Sequence, residues 1–129
     1  LKIFDYLDIT DKFDIVKGVD PQKHQTKAEL LEDCIEEANI KKDAGLPHSL
    51  AIARNDDSNN LVVKNSTEIK KYECVLIGDS KYDSIGAEQV GIDFIAVTYG
   101  FGFKPSEDLN GYNPIGIANR VDDLFTLLV

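Results

Sequence analysis

Short apolar runs and amphipathic stretches follow one another along the chain. Residues 1–9 carry apolar side chains at helical spacing, which predicts the end of a helix. Residues 13–17 read F-D-I-V-K and predict a short strand. Over residues 26–40, apolar side chains recur every three or four positions and form one stripe, the clearest helical pattern in the chain. The first third is therefore predicted to run helix, strand, helix.

The start of the predicted helix at 26–40 carries a capping signal. Thr26 and Glu29 form a T-x-x-E capping box, in which each side chain accepts a hydrogen bond from the backbone N–H of the other residue. Lys27 is therefore predicted to be the first helical residue. Residues 41–70 allow two interpretations, because two apolar runs flanking a polar loop fit either a β-hairpin or a helix followed by a loose surface loop.

The second half of the chain alternates between strands and helices. Residues 73–77 form a nearly continuous apolar run, the pattern of a strand buried on both faces of a parallel sheet. The elements predicted after it are a helix at 82–90 that stops at Gly91, a buried strand at 94–97, the start of a short helix at 105–109, a weaker strand at 115–118 and a helix at 121–129. This order predicts one α/β domain over residues 1–129, with a parallel sheet between two layers of helices.

Composition and charge narrow the classes of partner. The chain has 129 residues and a net charge of −9, which argues against nucleic acid or an anionic membrane as a partner. No apolar run approaches the roughly 20 residues of a membrane span. The two cysteines, Cys34 and Cys74, lie within apolar periodic runs and are predicted to be buried thiols, which favours a reducing cytoplasm.

Polar residues that follow the predicted strands are the candidates for chemistry, because ligands of open parallel sheets bind beyond the carboxyl ends of the strands. Asp79 follows the strand at 73–77 and Asp83 lies four residues later, so the two carboxylates are expected to converge and to suit Mg²⁺. Asp83 also fits a capping role in S-x-x-D. Lys27 could neutralise a phosphoryl group at the same rim, or could be an ordinary solvated lysine.

Together these segments resemble the haloacid-dehalogenase-like (HAD-like) phosphatases, particularly the phosphoglycolate-phosphatase-like branch. Members of that family carry a lysine at the start of one core helix, here in T-K-A-E-L-L. A later strand ends in G-D-x-x-x-D, here V-L-I-G-D-S-K-Y-D-S-I-G-A at 75–87. A G-I turn then leads to a strand and a Gly-aromatic-Gly loop, here G-I-D-F-I-A-V-T-Y-G-F-G at 91–102. The resemblance implies a three-layer α/β/α Rossmann-like fold, incomplete on its N-terminal side.

The resemblance also implies a mechanism and site residues. An aspartate in D-x-D-x-T attacks phosphorus and forms an aspartyl-phosphate, and a second aspartate acts as general acid and base. By this resemblance Lys27 contacts the phosphoryl group, Asp79 binds Mg²⁺ and serves catalysis, and Asp83 binds the metal directly or through water. The substrate is then expected to be a small phosphorylated metabolite.

The chain departs from the family pattern in three respects. It contains no D-x-D-x-T, no cap domain is apparent, and the long interval between Lys27 and Asp79 indicates an insertion at about 41–70. The chain begins at Leu1 and has no methionine, so we expect it to be part of a longer enzyme and inactive alone. A partial sheet is expected to form a homo-oligomer or to associate with a missing N-terminal segment.

The sequence leaves two other functions open and disfavours a third. A phosphomutase of the same superfamily would carry similar core motifs. A non-catalytic remnant would keep the fold as an interaction module without its nucleophile. A receiver-like or nucleotide-binding α/β domain is disfavoured, because the chain shows no acidic pair on an early strand and no Gly-rich loop before its first helix.

Overall fold

The structure is a computed structural model and describes residues 2–18, 20, 22–44, 52–54, 61–63 and 68–129. Its helices are α1 (Lys2–Tyr6), α2 (Lys27–Ala44), α3 (Lys81–Val90) and α4 (Asp123–Leu127). Its strands are β1 (Ile52–Arg54), β2 (Leu61–Val63), β3 (Val75–Gly78), β4 (Asp93–Val97) and β5 (Gly116–Ala118). Among the described residues, short 3₁₀ turns lie at Thr10–Lys12, Lys71–Glu73 and Asn110–Tyr112. Within these described ranges, no helix is long and apolar enough to span a membrane.

The chain divides into two compact units. One comprises Leu1–Lys17 and Asp33–Ile69, and the other comprises Gly18–Glu32 and Lys70–Val129. The first unit holds α1, most of α2 and the antiparallel pair β1–β2. That pair agrees with the hairpin interpretation of residues 41–70, although the polar loop between the strands lies outside the described residues. The single-domain assignment and the insertion stay predictions.

The second unit contains a three-stranded parallel sheet in the order β3-β4-β5. Helices pack on this sheet, with α3 against β3 and β4, and α4 against β5. The predicted α/β class and parallel sheet are therefore confirmed. Three predicted strands also agree with the structure within one or two residues.

Strand β4 is buried on both faces because its side chains alternate between two apolar clusters. On one face, Phe94 and Ala96 pack with Ala87, Phe103 and Leu109. On the other face, Ile95 and Val97 pack with Ala118, and Leu124 of α4 adjoins them. Full burial of a side chain such as Ile95 stabilises the fold by roughly 1.5–3 kcal/mol. These clusters anchor the strands whose carboxyl ends carry the candidate site.

Local chemistry sets the ends of the two helices that flank the site. Helix α2 begins at Lys27 behind the predicted capping box: Thr26 N donates to Glu29 Oε2 at 2.8 Å, and Glu29 N donates to Thr26 Oγ1 at 3.2 Å. Helix α3 ends at Gly91, whose φ of 78° is the left-handed conformation that glycine adopts readily. Both helix ends agree with the sequence prediction.

Two predicted elements are wrong. Residues 13–17 form no strand, because no described strand pairs with them and Lys17 instead forms an ion pair with Glu37 at 3.1 Å. The helix predicted to start at 105–109 is absent. There a turn closed by Glu107 leads to Leu109, which is buried in the core, and the 3₁₀ turn Asn110–Tyr112 follows.

Strand β3 is less buried than its apolar sequence indicates. Three of its four residues are half-buried, and the fourth, Ile77, is 39% exposed. The reason is its position, since β3 lies at one end of the strand order in the described sheet. A strand at that position has a row of backbone groups available for pairing. The predicted incompleteness of the sheet on its N-terminal side stays a prediction.

Candidate functional site

The candidate site lies in the second unit, at the carboxyl end of β3. The strand ends at Gly78, Asp79 follows it, and Ser80 caps helix α3. Glycine is required at position 78, because a Cβ atom there would lie 2.5 Å from both Cβ and Cγ of Asp83. The close approach of Gly78 and Asp83 brings the two acidic residues of G-D-x-x-x-D to the same strand end.

Asp83 is a buried carboxylate with hydrogen bonds to both oxygens. Its Oδ1 lies 2.8 Å from Lys27 Nζ, and its Oδ2 accepts hydrogen bonds from Ser80 Oγ at 2.7 Å and Ser80 N at 3.2 Å. Burial by itself would raise the pKa of Asp83, but the hydrogen bonds from Lys27 and Ser80 and the charge of Lys27 outweigh it and lower that pKa. The group is therefore an anion at neutral pH.

Lys27 reaches Asp83 because of its position at the first turn of α2. Its aliphatic stem packs against Gly86 of α3, where an added Cβ would lie 2.6 Å from Lys27 Cγ. Contact with Gly86 and pairing with Asp83 together fix the stem and the ammonium. The two residues, far apart in the sequence, therefore meet at one rim of the sheet, as the sequence led us to expect.

Asp79 is held by a different part of the chain, the loop at 99–103 that follows β4. Its Oδ2 accepts hydrogen bonds from Phe101 N at 2.7 Å and Gly102 N at 3.0 Å. Sequence reasoning missed these two backbone donors. The signal that could have found them is the G-F-G spacing after a strand end, because glycines often mark a close backbone approach.

Ser80 has a second role that the sequence analysis did not predict: besides capping α3, its hydroxyl donates a hydrogen bond to the Asp83 carboxylate. The S-x-x-D pattern indicated a capping box, and the structure contains it, since Asp83 N also donates to Ser80 Oγ at 3.4 Å. The alternative raised for Asp83, a helix-capping role, is therefore present. The same carboxylate also pairs with Lys27. Asp83 therefore both caps α3 through Ser80 and pairs with Lys27. Its role in metal binding stays a prediction.

A sequence model described as HAD-hydrolase-like matches residues 47–124, which is more than half of the chain. The chain belongs to the HAD-like hydrolase family. A phosphoglycolate phosphatase from Colwellia psychrerythraea (strain 34H) is 45% identical over 56 residues, which make up 43% of this chain and 24% of that protein. The strand that ends in G-D-x-x-x-D therefore belongs to a HAD-like hydrolase chain.

Solved structures agree with this HAD-like assignment. A candidate phosphatase from Clostridium difficile aligns with a TM-score of 0.67 and 25% identity, over 99% of this chain and 46% of its own. A candidate phosphatase from Clostridium acetobutylicum aligns with a TM-score of 0.66 and 26% identity, over 98% of this chain and 45% of its own. The chain thus spans less than half the length of these two proteins.

The two acids of this HAD-like chain fit Mg²⁺ as a partial set of ligands. Carboxylate oxygens are the donors that Mg²⁺ prefers, and it usually keeps waters and substrate oxygens as further ligands. Among the described residues, Oδ1 of Asp79 makes no hydrogen bond or ion pair, so that oxygen is available. Asp83 is more suited to a contact through water, because Lys27 and Ser80 already engage its two oxygens. No group of three or more His, Cys, Asp or Glu side chains that could hold a metal occurs in the described part of the chain.

A small cavity of about 180 Å³ lies elsewhere in the second unit. It opens beside Asp93 and Phe94, at the amino end of β4, whereas Asp79 and Asp83 lie at the carboxyl end of the neighbouring strand. The cavity therefore does not contribute to the candidate site.

Proposed function

We propose that this chain forms the lysine-and-acid half of a Mg²⁺-dependent phosphomonoesterase that acts on a small phosphorylated metabolite. The observation that carries the proposal is the 2.8 Å contact between Lys27 Nζ and Asp83 Oδ1, four residues along the chain from Asp79, which follows β3. Membership of the HAD-like family and the sequence similarity to a phosphoglycolate phosphatase support the proposal of phosphatase activity. The substrate and the Mg²⁺ dependence are the proposed parts.

Each residue has a distinct part in the proposed reaction. Lys27 presents a fixed ammonium to the phosphoryl oxygens, where a preorganised cation stabilises the charge of the transition state. Asp79 would hold Mg²⁺ through Oδ1, and Asp83 would hold it directly or through water. When bound, the ion offsets repulsion between an anionic nucleophile and the phosphate. Asp83 also positions Lys27, because the same carboxylate pairs with its ammonium.

The attacking carboxylate belongs, in this proposal, to a segment outside these residues. No D-x-D-x-T occurs in the 129-residue sequence. The proposed nucleophile forms a bond to phosphorus while the ester oxygen leaves with a proton from a general acid, and water then hydrolyses the aspartyl-phosphate. The chain alone is then inactive. We also keep the proposal of a cytoplasmic location, supported by Cys34 and Cys74, which are both free thiols.

Hydrolysis of p-nitrophenyl phosphate by the longest form that the gene encodes tests this function. We expect activity with MgCl₂, none with EDTA, and a loss of roughly 100-fold or more for Asp79→Asn. The matched control is Asp122→Asn, because Asp122 is an exposed acid that pairs only with Arg120 in the described structure.

Other outcomes of that assay separate the alternatives. Full activity of Asp79→Asn would refute its metal role. Phosphoryl transfer between sugar positions that needs a bisphosphate activator would indicate a mutase. A form that contains D-x-D-x-T but neither hydrolyses nor transfers phosphate would indicate a non-catalytic protein.

A further inference from the structure

The loop at 99–103 makes unusually close contact with Asp79. Besides the hydrogen bonds to Oδ2 from Phe101 N and Gly102 N, Phe103 N donates to the backbone oxygen of Asp79 at 2.6 Å. Three successive N–H groups of one loop therefore bind one residue, two on its side chain and one on its main chain. Such an arrangement fixes both the position of the carboxylate and its rotation.

The glycines of this loop are required by the same contact. A Cβ on Gly100 would lie 2.3 Å from Asp79 Oδ2 and 2.6 Å from Asp79 Cβ. A Cβ on Gly102 would lie 2.0 Å from the backbone oxygen of Asp79. Neither glycine has a positive φ, so the requirement comes from space rather than from backbone conformation. The sequence G-F-G is thus explained by the approach of the loop to Asp79.

The loop is held at both ends by contacts with neighbouring parts of the second unit. Phe103 is 3% exposed, and its ring packs against Phe94 and Tyr112 with centroid distances of 6.4 and 5.1 Å. Just before the loop, buried Thr98 donates from Oγ1 to Asn119 Oδ1 at 2.8 Å. The packing of Phe103 after the loop and the hydrogen bond of Thr98 before it hold the backbone amides of Phe101 and Gly102 in place.

We propose that the loop at 99–103 is the positioning element of Asp79. Its amides hold Oδ2 and thereby direct Oδ1, which has no partner among the described residues, toward the cation. This inference rests on the proposed function, because it assumes that Asp79 binds Mg²⁺. Groups that orient a metal ligand commonly change metal affinity by roughly 10–100-fold when they are altered.

Isothermal titration of the 129-residue chain with MgCl₂ tests the inference through Gly100→Ala. The added methyl group pushes on the Asp79 carboxylate, and we expect the dissociation constant for Mg²⁺ to rise roughly 10–100-fold. Gly111→Ala is the matched control, since a Cβ there meets no atom within 4 Å and affinity should not change. Circular dichroism of each variant checks folding.

The outcomes distinguish the two proposals. If Mg²⁺ does not bind the unsubstituted chain, or binds Asp79→Asn equally well, the metal role fails and this inference fails with it. If Asp79→Asn weakens binding but Gly100→Ala does not, only the positioning role is overturned.

A measurement on the unsubstituted chain covers the case in which Gly100→Ala does not fold. During the Mg²⁺ titration, the amide NMR signals of Phe101 and Gly102 should shift with the same midpoint as the heat of binding, because their acceptor carboxylate shares its charge with the ion. Amides that stay unchanged while Mg²⁺ binds would overturn the positioning role.

Discussion

Replacement of Lys27 by methionine isolates the ion pair at the centre of the site. Methionine keeps much of the aliphatic stem that packs against Gly86 but removes the ammonium that contacts Asp83 Oδ1 at 2.8 Å. Asp83 then remains buried with the hydrogen bonds from Ser80 as its remaining support. The experiment is done with EDTA present, so that the pair is measured without a bound metal.

The expected magnitude follows from the exposure of the two side chains. Asp83 is 10% exposed and Lys27 is 41% exposed. Exposed ion pairs contribute roughly 0–1 kcal/mol, whereas removal of one partner from a buried pair costs about 3–5 kcal/mol. We therefore expect the free energy of unfolding to fall by about 2 kcal/mol at neutral pH. For a chain of this size, that change lowers Tm by roughly 6–10 °C.

The effect should depend on pH in a defined direction. The folded-state pKa of Asp83 lies below its ordinary value of 3.8, so its stabilisation is complete above that value and is lost as pH falls through the folded-state pKa. Without Lys27, burial still raises that pKa while two of the lowering causes are gone. The difference between Lys27→Met and the unsubstituted chain should therefore be largest near pH 7 and shrink near about pH 3.

Urea denaturation at the two pH values measures this difference. Lys12→Met is the control, because Lys12 also forms an ion pair at 3.0 Å, with Asp11, but both side chains are largely exposed. We expect no measurable change for the control. An effect of Lys27→Met no larger than that of Lys12→Met, or one equally large at both pH values, would show that the Lys27–Asp83 ion pair does not stabilise the fold as described.

Three further predictions concern single residues. Ser80→Ala removes the cap of α3 and should lower the free energy of unfolding by about 1 kcal/mol in urea, while it raises the pKa of Asp83; an unchanged stability would contradict the capping role. Gly78→Ala should cost about 1–3 kcal/mol in the same assay, because Asp83 must move to admit the methyl group, and a neutral result would show that the strand end yields freely. Burial raises the pKa of both the Cys34 and the Cys74 thiol, so iodoacetamide should modify them more slowly in the folded chain than in urea. Equal rates would show that folding neither covers the two thiols nor raises their pKa.

Features fixed by neighbouring residues were predictable from the sequence. Thr26 and Glu29 define the start of α2 by contacts within one turn, and Gly91 ends α3 by its own backbone conformation. A continuous apolar run similarly placed Asp79 at a strand end. These signals were enough to predict the parallel α/β fold and to predict that Lys27 and Asp83 lie at the same rim of the sheet.

Features that depend on distant partners were not predictable in the same way. Residues 13–17 have an alternation typical of a strand, but a strand also needs a neighbour to pair with, and no described strand pairs with them. The support of Asp79 by Phe101 and Gly102 depends on how a loop after β4 folds back over the end of β3. The pattern of neighbouring residues in the sequence does not show how closely this loop approaches Asp79.

The proposed site requires that Asp79 and Asp83 serve one cation beside Lys27. Carboxyl-carbon NMR of the chain during titration with MgCl₂ tests this most directly. We expect the Asp79 and Asp83 signals to shift with a common midpoint, and the signal of the exposed Asp122 to stay unchanged. Unchanged signals of both site residues, or midpoints that differ between them, would contradict it.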